Sequence, residues 1–249
     1  QIRSTEEKLR QSMDALEAKN RELESFNYVT SHDLKEPLRK IRNFIDVIRK
    51  KETGDTRIYL SKIDDSAKRM TDLIESILAL SQVPNADLKF ADVDLNEVLE
   101  SCKSDLEVRL KESNAEITSV QLPIIKANES QLNQVFLNLI GNALKFCDTT
   151  PIIRINCDKV HVDEVDRPQL SGGPLWYWRL TFTDNGIGFD PQFKNQVFEP
   201  FQRLHLRNEY SGTGIGLSIV KKVIDRHNGF VDVDSEIGKG AKFTIWLPA

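Results

Sequence analysis

Residues 31–38 read Ser-His-Asp-Leu-Lys-Glu-Pro-Leu, while residues 184–188 and 212–216 read Asp-Asn-Gly-Ile-Gly and Gly-Thr-Gly-Ile-Gly. A glycine-rich turn such as residues 212–216, where it opens a helix, brings backbone N–H groups close to a phosphate. His32 stands in a helical pattern among charged residues and is a candidate to accept a phosphoryl group. Each signal is weak alone. Together they indicate a helical segment with a reactive histidine, followed by a phosphate-binding domain.

The first third of the chain has a helical pattern of apolar residues. A heptad repeat favours a short coiled coil over residues 1–25, with a single solvated helix as the alternative, and it is formed by Ile2, Leu9, Leu16 and Leu23. Two further helical patterns, separated by turn residues at 51–56, predict a helical hairpin over residues 26–82. Because two helices bury little apolar surface, we expect two copies to form a four-helix bundle in a homodimer.

Residues 83–87 break the pattern and predict a linker, and residues 88–249 mix helices with strands. This mixture predicts an α+β fold in which helices cover one face of a sheet, an α/β sandwich. The expected helices are residues 95–112, 129–146 and 214–228. The expected strands are residues 89–93, 124–127, 152–160, 176–184, 230–234 and 242–247. Residues 161–174 are expected to be a loop or hairpin tip.

Composition limits the partners and the compartment. The formal net charge of −4 over 249 residues gives no basic footprint, so nucleic acid is not an expected partner. Cys102, Cys147 and Cys157 lack metal-site spacing and are expected to be reduced. No apolar run is long enough to span a membrane, so we expect this piece to be cytoplasmic. The chain begins at Gln1 within a helical pattern, so we expect an upstream sensor domain, with membrane attachment of the full-length protein left open.

Asn138, Asn142 and Lys145 are four and three residues apart and share one face of the expected helix. Amide oxygens and a lysine suit a magnesium-bound triphosphate, although a polar solvated face would show the same pattern. Asp184 follows an expected strand and can accept a hydrogen bond from an exocyclic amine. Glycine after Asp184 would let the backbone approach a flat base.

These motifs resemble, in order, the H, N, G1, F and G2 boxes of the two-component sensor histidine kinases. The matching segments are Phe26 to Leu38, Asn138 to Phe146, Asp184 to Asp190, Phe198 to Phe201 and Gly212 to Gly216. The phrases around His32 and Phe201 are similar to the phytochrome-type subgroup. The resemblance implies a dimerisation and histidine phosphotransfer domain, followed by an ATP-binding domain of the histidine kinase and Hsp90 type.

The resemblance also implies the site residues. Asn142 would ligate Mg²⁺, Asn138 and Lys145 would approach the phosphates of ATP, and Asp184 would recognise the adenine amine. Gly186 and Gly188 would shape the adenine pocket. Residues 199–214 would form a lid over ATP. Arg203 and Arg207 in the lid are candidates for phosphate contacts, with solvated arginines as the alternative. The turn formed by Gly212, Thr213, Gly214 and Gly216 opens the following helix and would present backbone N–H groups to the phosphates.

His32 would attack the γ-phosphorus through one ring nitrogen while a carboxylate hydrogen-bonds the other. The resemblance assigns this carboxylate to Asp33, whereas helix geometry favours Glu36, which lies one turn further on the same face. Family members active as phosphatases often carry Thr or Asn at the position of Glu36, which leaves phosphatase activity in doubt. The implied partner is a response-regulator receiver domain, whose aspartate takes the phosphoryl group. His161, His205 and His227 are interpreted as ordinary surface histidines.

Two alternatives stay open. The nucleotide boxes also resemble ATPases such as Hsp90, which hold a glutamate four residues before the metal-binding asparagine to activate water. Here that position is Asn138, which favours transfer to a protein over hydrolysis. The other alternative is a degenerate kinase that serves as a dimeric signalling scaffold.

Overall fold

The computed structural model describes residues 38–48, 56–81, 90–165, 173–202, 204 and 213–249. The chain divides into two units, Gln1–Ile77 and Leu78–Ala249, which we describe separately. The predicted coiled coil at residues 1–25 lies outside the described residues. The same is true of some predicted site residues, namely His32, Asp33, Glu36, Arg203, Arg207 and Gly212.

The described residues of the first unit form two helices, α1 (residues 38–48) and α2 (Arg57–Ser81). They contact each other through Phe44 and Tyr59, whose ring centroids lie 6.2 Å apart, and Lys62 Nζ lies 5.5 Å from the Phe44 centroid. Large apolar side chains of both helices are nevertheless exposed, including Leu38, Ile45, Leu60 and Ile74. The predicted pair of helices is thus present, and the two helices do not bury these apolar side chains against each other.

The second unit is built on a five-stranded sheet with the order β2-β4-β5-β7-β6 and a separate antiparallel pair, β1 and β3. Only β2 and β4 run parallel within the large sheet. The strands are β1 (Ala91–Asp94), β2 (Glu116–Ser119), β3 (Ile124–Ala127), β4 (Ile152–His161), β5 (Trp176–Asp184), β6 (Phe230–Glu236) and β7 (Gly240–Pro248).

Four helices accompany the sheet, namely α3 (Leu95–Asp105), α4 (Glu107–Ser113), α5 (Glu129–Lys145) and α6 (Gly216–Arg226). Helix α5 contacts the other three helices and β5. The rings of Phe136 on α5 and Phe182 on β5 meet edge to face at 5.0 Å. Along β4, buried Ile153 and Ile155 alternate with exposed Arg154, so one face of the sheet is apolar and the other polar. Helices on an apolar sheet face form the predicted α/β sandwich.

The predicted elements agree with the structure, with two differences. Residues 95–112 were expected to form one helix, but the backbone leaves helical geometry at Leu106 (φ −99°, ψ 7°). Hydrogen bonds continue through this point, from Leu106 N–H to the Cys102 carbonyl and from Leu110 N–H to the Leu106 carbonyl. The helix is therefore bent, which keeps Leu106 buried while α4 contacts α5. The short edge strand β2 was not predicted.

None of the described helices combines the length and apolar character needed to cross a bilayer. The predicted domain boundaries at 82 and 88 fall beside or within residues 82–89, which are outside the described residues, and they stay predictions.

Candidate nucleotide site

A cavity of about 400 Å³ in the second unit is lined by one face of α5, the start of α6 and the ends of β5 and β7. Residues from separate predicted motifs meet here, although more than 70 positions separate the first from the last. The predicted residues that line the cavity are Asn138, Asn142, Lys145, Asp184, Gly188, Thr213, Gly214 and Gly216. Gly186 is close by but does not line it.

Helix α5 presents the polar side of the cavity. It begins after the N-cap Asn128, whose Oδ1 accepts a hydrogen bond from Gln131 N–H at 3.1 Å. Its opposite face is buried against the sheet and the neighbouring helices through Leu132, Phe136, Leu139 and Ile140. This burial fixes the rotation of the helix, so Asn138, Asn142 and Lys145 face the cavity.

Asp184, at the end of β5, is the acidic group of the cavity. Its Oδ1 accepts hydrogen bonds from the backbone N–H groups of Gly186 at 2.9 Å and Ala241 at 3.1 Å. No described residue donates to Oδ2, which leaves this oxygen as an acceptor for a ligand. Burial raises the pKa of Asp184, and the two N–H donors partly oppose that rise.

The glycines after Asp184 are required by close contacts with protein backbone, while their predicted part in an adenine pocket stays a prediction. A Cβ on Gly186 would lie 2.4 Å from the Phe146 carbonyl oxygen, and one on Gly188 would lie 2.0 Å from the Glu236 carbonyl oxygen. Gly188 also has φ +61°, which strains other residues. Both glycines therefore pack the turn against protein backbone, and Ile187 N–H donates to the Phe146 carbonyl at 2.8 Å. The turn is thereby attached to the end of α5.

The second glycine turn leads into α6. Gly214 has φ +74°, and α6 begins at Gly216 after Ile215, whose side chain makes no capping hydrogen bond. The N-terminus of α6 lies at the cavity, where backbone N–H groups and the helix dipole favour an anion. Asn138 Nδ2 donates to the Gln134 carbonyl at 2.8 Å.

Several lining residues were not predicted from the sequence. Ala241 and Phe243 come from β7, and Arg109 comes from α4. Gly240, with φ +86°, approaches Asp184 so closely that a Cβ would lie 2.1 Å from the Asp184 carbonyl oxygen. The signal that could have identified this region is the Gly238-Lys239-Gly240 turn directly before the last strand.

The interpretation of His227 as a surface residue was wrong. Its side chain is buried at the end of α6, where Nδ1 donates to the Val223 carbonyl at 2.8 Å and Nε2 accepts from Asn128 N–H at 3.1 Å. Burial lowers the pKa of His227, so the neutral ring is favoured. Because Asn128 is also the N-cap of α5, His227 joins the end of α6 to the start of the helix that carries Asn138 and Asn142.

The residues fit a nucleotide and its metal ion. The cavity combines a carboxylate with amide side chains, a lysine and a helix N-terminus, groups that suit the amine of a base and the phosphates of a nucleotide. Across the described part of the chain, no cluster of three or more His, Cys, Asp or Glu side chains could hold a metal ion. The amide oxygen of Asn142, which lines the cavity, would suit a divalent cation that is also bound by phosphate oxygens.

Comparison with known proteins agrees with this site. Residues 127–249 match the family model for histidine kinase-, DNA gyrase B-, and HSP90-like ATPases, and residues 22–86 match the His Kinase A (phospho-acceptor) domain. Cyanobacterial phytochrome A of Nostoc sp. is 36% identical over an alignment of 247 residues, and the match covers 97% of this chain and 30% of that protein. The phytochrome-like protein Cph1 of Synechocystis sp. is 36% identical over an alignment of 254 residues, gaps included, and the match covers 97% of this chain and 31% of that protein.

Two solved structures show the same fold. Histidine kinase AdeS of Acinetobacter baumannii has a TM-score of 0.65 at 20% identity, and the match covers 87% of this chain and 97% of that one. Histidine kinase ThkA, solved in complex with the response regulator protein TrrA, has a TM-score of 0.67 at 20% identity, covering 90% of this chain and 61% of that one.

The chain belongs to the histidine kinases, a family of ATP-dependent phosphotransferases, and it has both a phospho-acceptor domain and an ATP-binding domain. The similarity to phytochrome-type proteins agrees with the predicted subgroup. The chain spans about three tenths of the length of these phytochrome relatives.

Proposed function

We propose that this chain transfers the γ-phosphoryl group of ATP to His32 and then to an aspartate of a response-regulator receiver domain. The observation that carries the proposal is the cavity, which brings together the polar face of α5, the start of α6 and the carboxylate of Asp184. Of that carboxylate, only Oδ1 accepts hydrogen bonds from described residues. In this assignment Oδ2 of Asp184 accepts a hydrogen bond from the adenine amine. Asn138 and Lys145 contact the phosphates, with Arg203 and Arg207 as further candidates.

Asn142 is the proposed ligand for Mg²⁺. When bound, the ion neutralises charge on the phosphate oxygens. The chain's own contribution is to position the reacting groups: α5 fixes Asn142 and Lys145, and the turn formed by Thr213, Gly214 and Gly216 presents the N-terminus of α6.

The proposed transfer begins with the lone pair of a neutral ring nitrogen of His32. This nitrogen forms a bond to the γ-phosphorus as the bond from phosphorus to the β,γ-bridging oxygen breaks, and ADP leaves with that electron pair. The other ring nitrogen, as N–H, donates to a carboxylate that stabilises the developing positive charge.

Asp33 is the proposed carboxylate, and Glu36 is the alternative. Asp33→Asn should therefore reduce autophosphorylation more than Glu36→Gln, and the opposite order would assign the role to Glu36.

Transfer rather than hydrolysis is supported by Asn138. Its amide cannot act as a general base, and its Nδ2 is already bonded to the Gln134 carbonyl. Among the described residues lining the cavity, Asp184 is the only carboxylate, and its Oδ1 is occupied by two backbone donors. These features leave no evident activator for water within the described cavity.

The proposed assembly is a homodimer. Apolar side chains are exposed on a hairpin whose helices contact each other elsewhere, namely Leu38, Ile45, Leu60 and Ile74. A second hairpin would bury this apolar surface and complete a four-helix bundle.

A response-regulator receiver domain is the proposed second partner, and an upstream sensor domain is the proposed source of the signal. We place the chain in the cytoplasm, where receiver domains and ATP are available.

The experiment that tests this proposal follows both fates of the γ-phosphate. The chain is incubated with Mg²⁺ and ATP, and free phosphate and protein-bound phosphoryl group are measured over time. We expect protein-bound phosphoryl group to form with little free phosphate. Phosphate release without any modified protein would support the ATPase alternative, and nucleotide binding with neither product would support the scaffold.

A further inference from the structure

We propose that Arg109 of α4 contacts the phosphate groups of the nucleotide and provides a second cation beside Lys145. This inference deepens the proposed function and rests on it. No motif of the sequence pointed to Arg109, because α4 carries none of the nucleotide-binding signals.

The position of Arg109 follows from the packing of α4 against α5. Arg109 lines the same cavity as Asn142 and Lys145. Its Nη1 atom lies 3.9 Å from the place that a Cβ would occupy on Gly141. Gly141 is three residues after Asn138 and four before Lys145, so it lies on the face that we assign to the phosphates. The guanidinium group therefore lies over the middle of that face.

Gly141 leaves this part of the helix surface bare. A glycine in the middle of a helix is less favourable than alanine. Here the missing side chain leaves open space between Asn138 and Lys145, and the Arg109 side chain reaches it from the neighbouring helix.

The charge of Arg109 is not balanced by a carboxylate among the described residues. The other cations of the second unit commonly have such partners: Lys111 pairs with Glu107 on the same helix, and Arg179 pairs with Asp158 across two strands. An exposed arginine with no such partner is most simply solvated, but this one borders a cavity suited to an anion. A guanidinium group can donate two parallel hydrogen bonds to a phosphate, which an amide or lysine cannot.

The test compares nucleotide binding by two variants of the protein, each with one substitution in α4. Arg109→Gln and Lys111→Gln each remove one positive charge from α4, but only Arg109 lines the cavity. Both are made in the full chain with His32→Ala, which prevents the proposed transfer during the measurement. Dissociation constants for ATP, ADP and adenosine are measured by calorimetry in the presence of Mg²⁺, and Arg109→Lys tests whether a positive charge suffices.

We expect Arg109→Gln to weaken ATP and ADP binding about tenfold, as for loss of one charge-assisted hydrogen bond, and to leave adenosine binding unchanged. Lys111→Gln should change none of the three, and Arg109→Lys should recover part of the loss. Equal ATP affinity for Arg109→Gln and its parent would overturn the inference, as would an equal weakening of all three ligands. Because the comparison measures binding alone, a failure to phosphorylate His32 in the unmutated chain would contradict the proposed function without affecting this result.

Discussion

Asn138 of α5 and Gly216 of α6 approach so closely that a Cβ on Gly216 would lie 2.6 Å from Asn138 Oδ1. The contact joins two motifs that are far apart in the sequence. It also places the start of α6 beside the polar face of α5, where the phosphates are proposed to bind. A side chain at this position would therefore displace Asn138 from its observed position.

Gly216→Ala should weaken nucleotide binding more than it weakens the fold. The clash is with the end of a side chain that can rotate away, and alanine is itself favoured in a helix by about 0.5–1 kcal/mol. The free energy of unfolding should therefore change by less than about 1 kcal/mol. Displacing Asn138 should raise the dissociation constant for ATP about tenfold, as for one lost hydrogen bond. Denaturant unfolding and calorimetry measure the two effects, and an unaltered ATP affinity would contradict the assignment of Asn138.

Asp184→Asn should weaken ATP binding without lowering the stability of the fold. The amide oxygen can still accept from Gly186 and Ala241 N–H, which places the Nδ2 donor at the position of Oδ2, the proposed acceptor for the adenine amine. Two donors would then face each other at the adenine amine, so ATP affinity should fall at least about 100-fold.

The same change should not destabilise the protein at neutral pH. Burial raises the pKa of Asp184, so its charged form is less favourable in the folded state than in the unfolded state. A thermal unfolding midpoint equal to or above that of the unmutated protein is the expected result. A lower midpoint together with lost binding would mean that the charge of Asp184 is structural.

Gly240→Ala and Gly238→Ala form a matched pair in the turn before β7. Both positions have positive φ, of +86° and +78°, so alanine should cost about 1–2 kcal/mol at either one. At Gly238 nothing lies within 4 Å of a Cβ, whereas at Gly240 the Cβ would lie 2.1 Å from the Asp184 carbonyl oxygen. Gly240→Ala should therefore lower the free energy of unfolding by clearly more than Gly238→Ala, and equal losses in denaturant unfolding would show that the close approach to Asp184 is unimportant.

His227 should make the second unit sensitive to mild acid. Its pKa in the folded state is lowered below the ordinary value of 6.5, so the unfolded state binds more protons as the pH falls. Stability should therefore be fully present above pH 6.5 and should decrease below it, by at most about 1.4 kcal/mol per pH unit, until the folded-state pKa is reached.

The measurement for His227 is denaturant unfolding between pH 7.5 and 5.5. Its control is His227→Gln, which keeps an acceptor for Asn128 N–H but does not titrate in this range. The difference in stability between the two proteins should narrow as the pH falls, and a difference that is constant with pH would show that His227 does not titrate with unfolding.

The order of helices and strands could be predicted from the sequence because its signals are local. The helix expected at residues 129–146 is observed at Glu129–Lys145, and the strand expected at residues 176–184 is observed at Trp176–Asp184. Strand β2 was missed because its residues, Glu116–Ser119, are mostly exposed and lack an apolar pattern. Its pairing with β4 is decided by the sheet rather than by its own sequence.

Site residues that belong to sequence motifs could be predicted. Residues that reach the cavity only through the packing of distant elements could not. Asn142, Lys145 and Asp184 belong to motifs and line the cavity together, as expected. Ala241 and Arg109 reach the cavity only because β7 lies beside β5 and α4 lies against α5. The burial of His227 likewise depends on contacts with Asn128, which is 99 positions away.

The proposed function depends on His32 carrying the phosphoryl group on a ring nitrogen. The most direct measurement is incubation with Mg²⁺ and γ-labelled ATP, comparing the unmutated chain with His32→Ala and testing the stability of the protein-bound label in acid and in alkali. We predict a label that is lost in acid, stable in alkali and absent from the variant. An acid-stable label, or one that persists in His32→Ala, would contradict the claim.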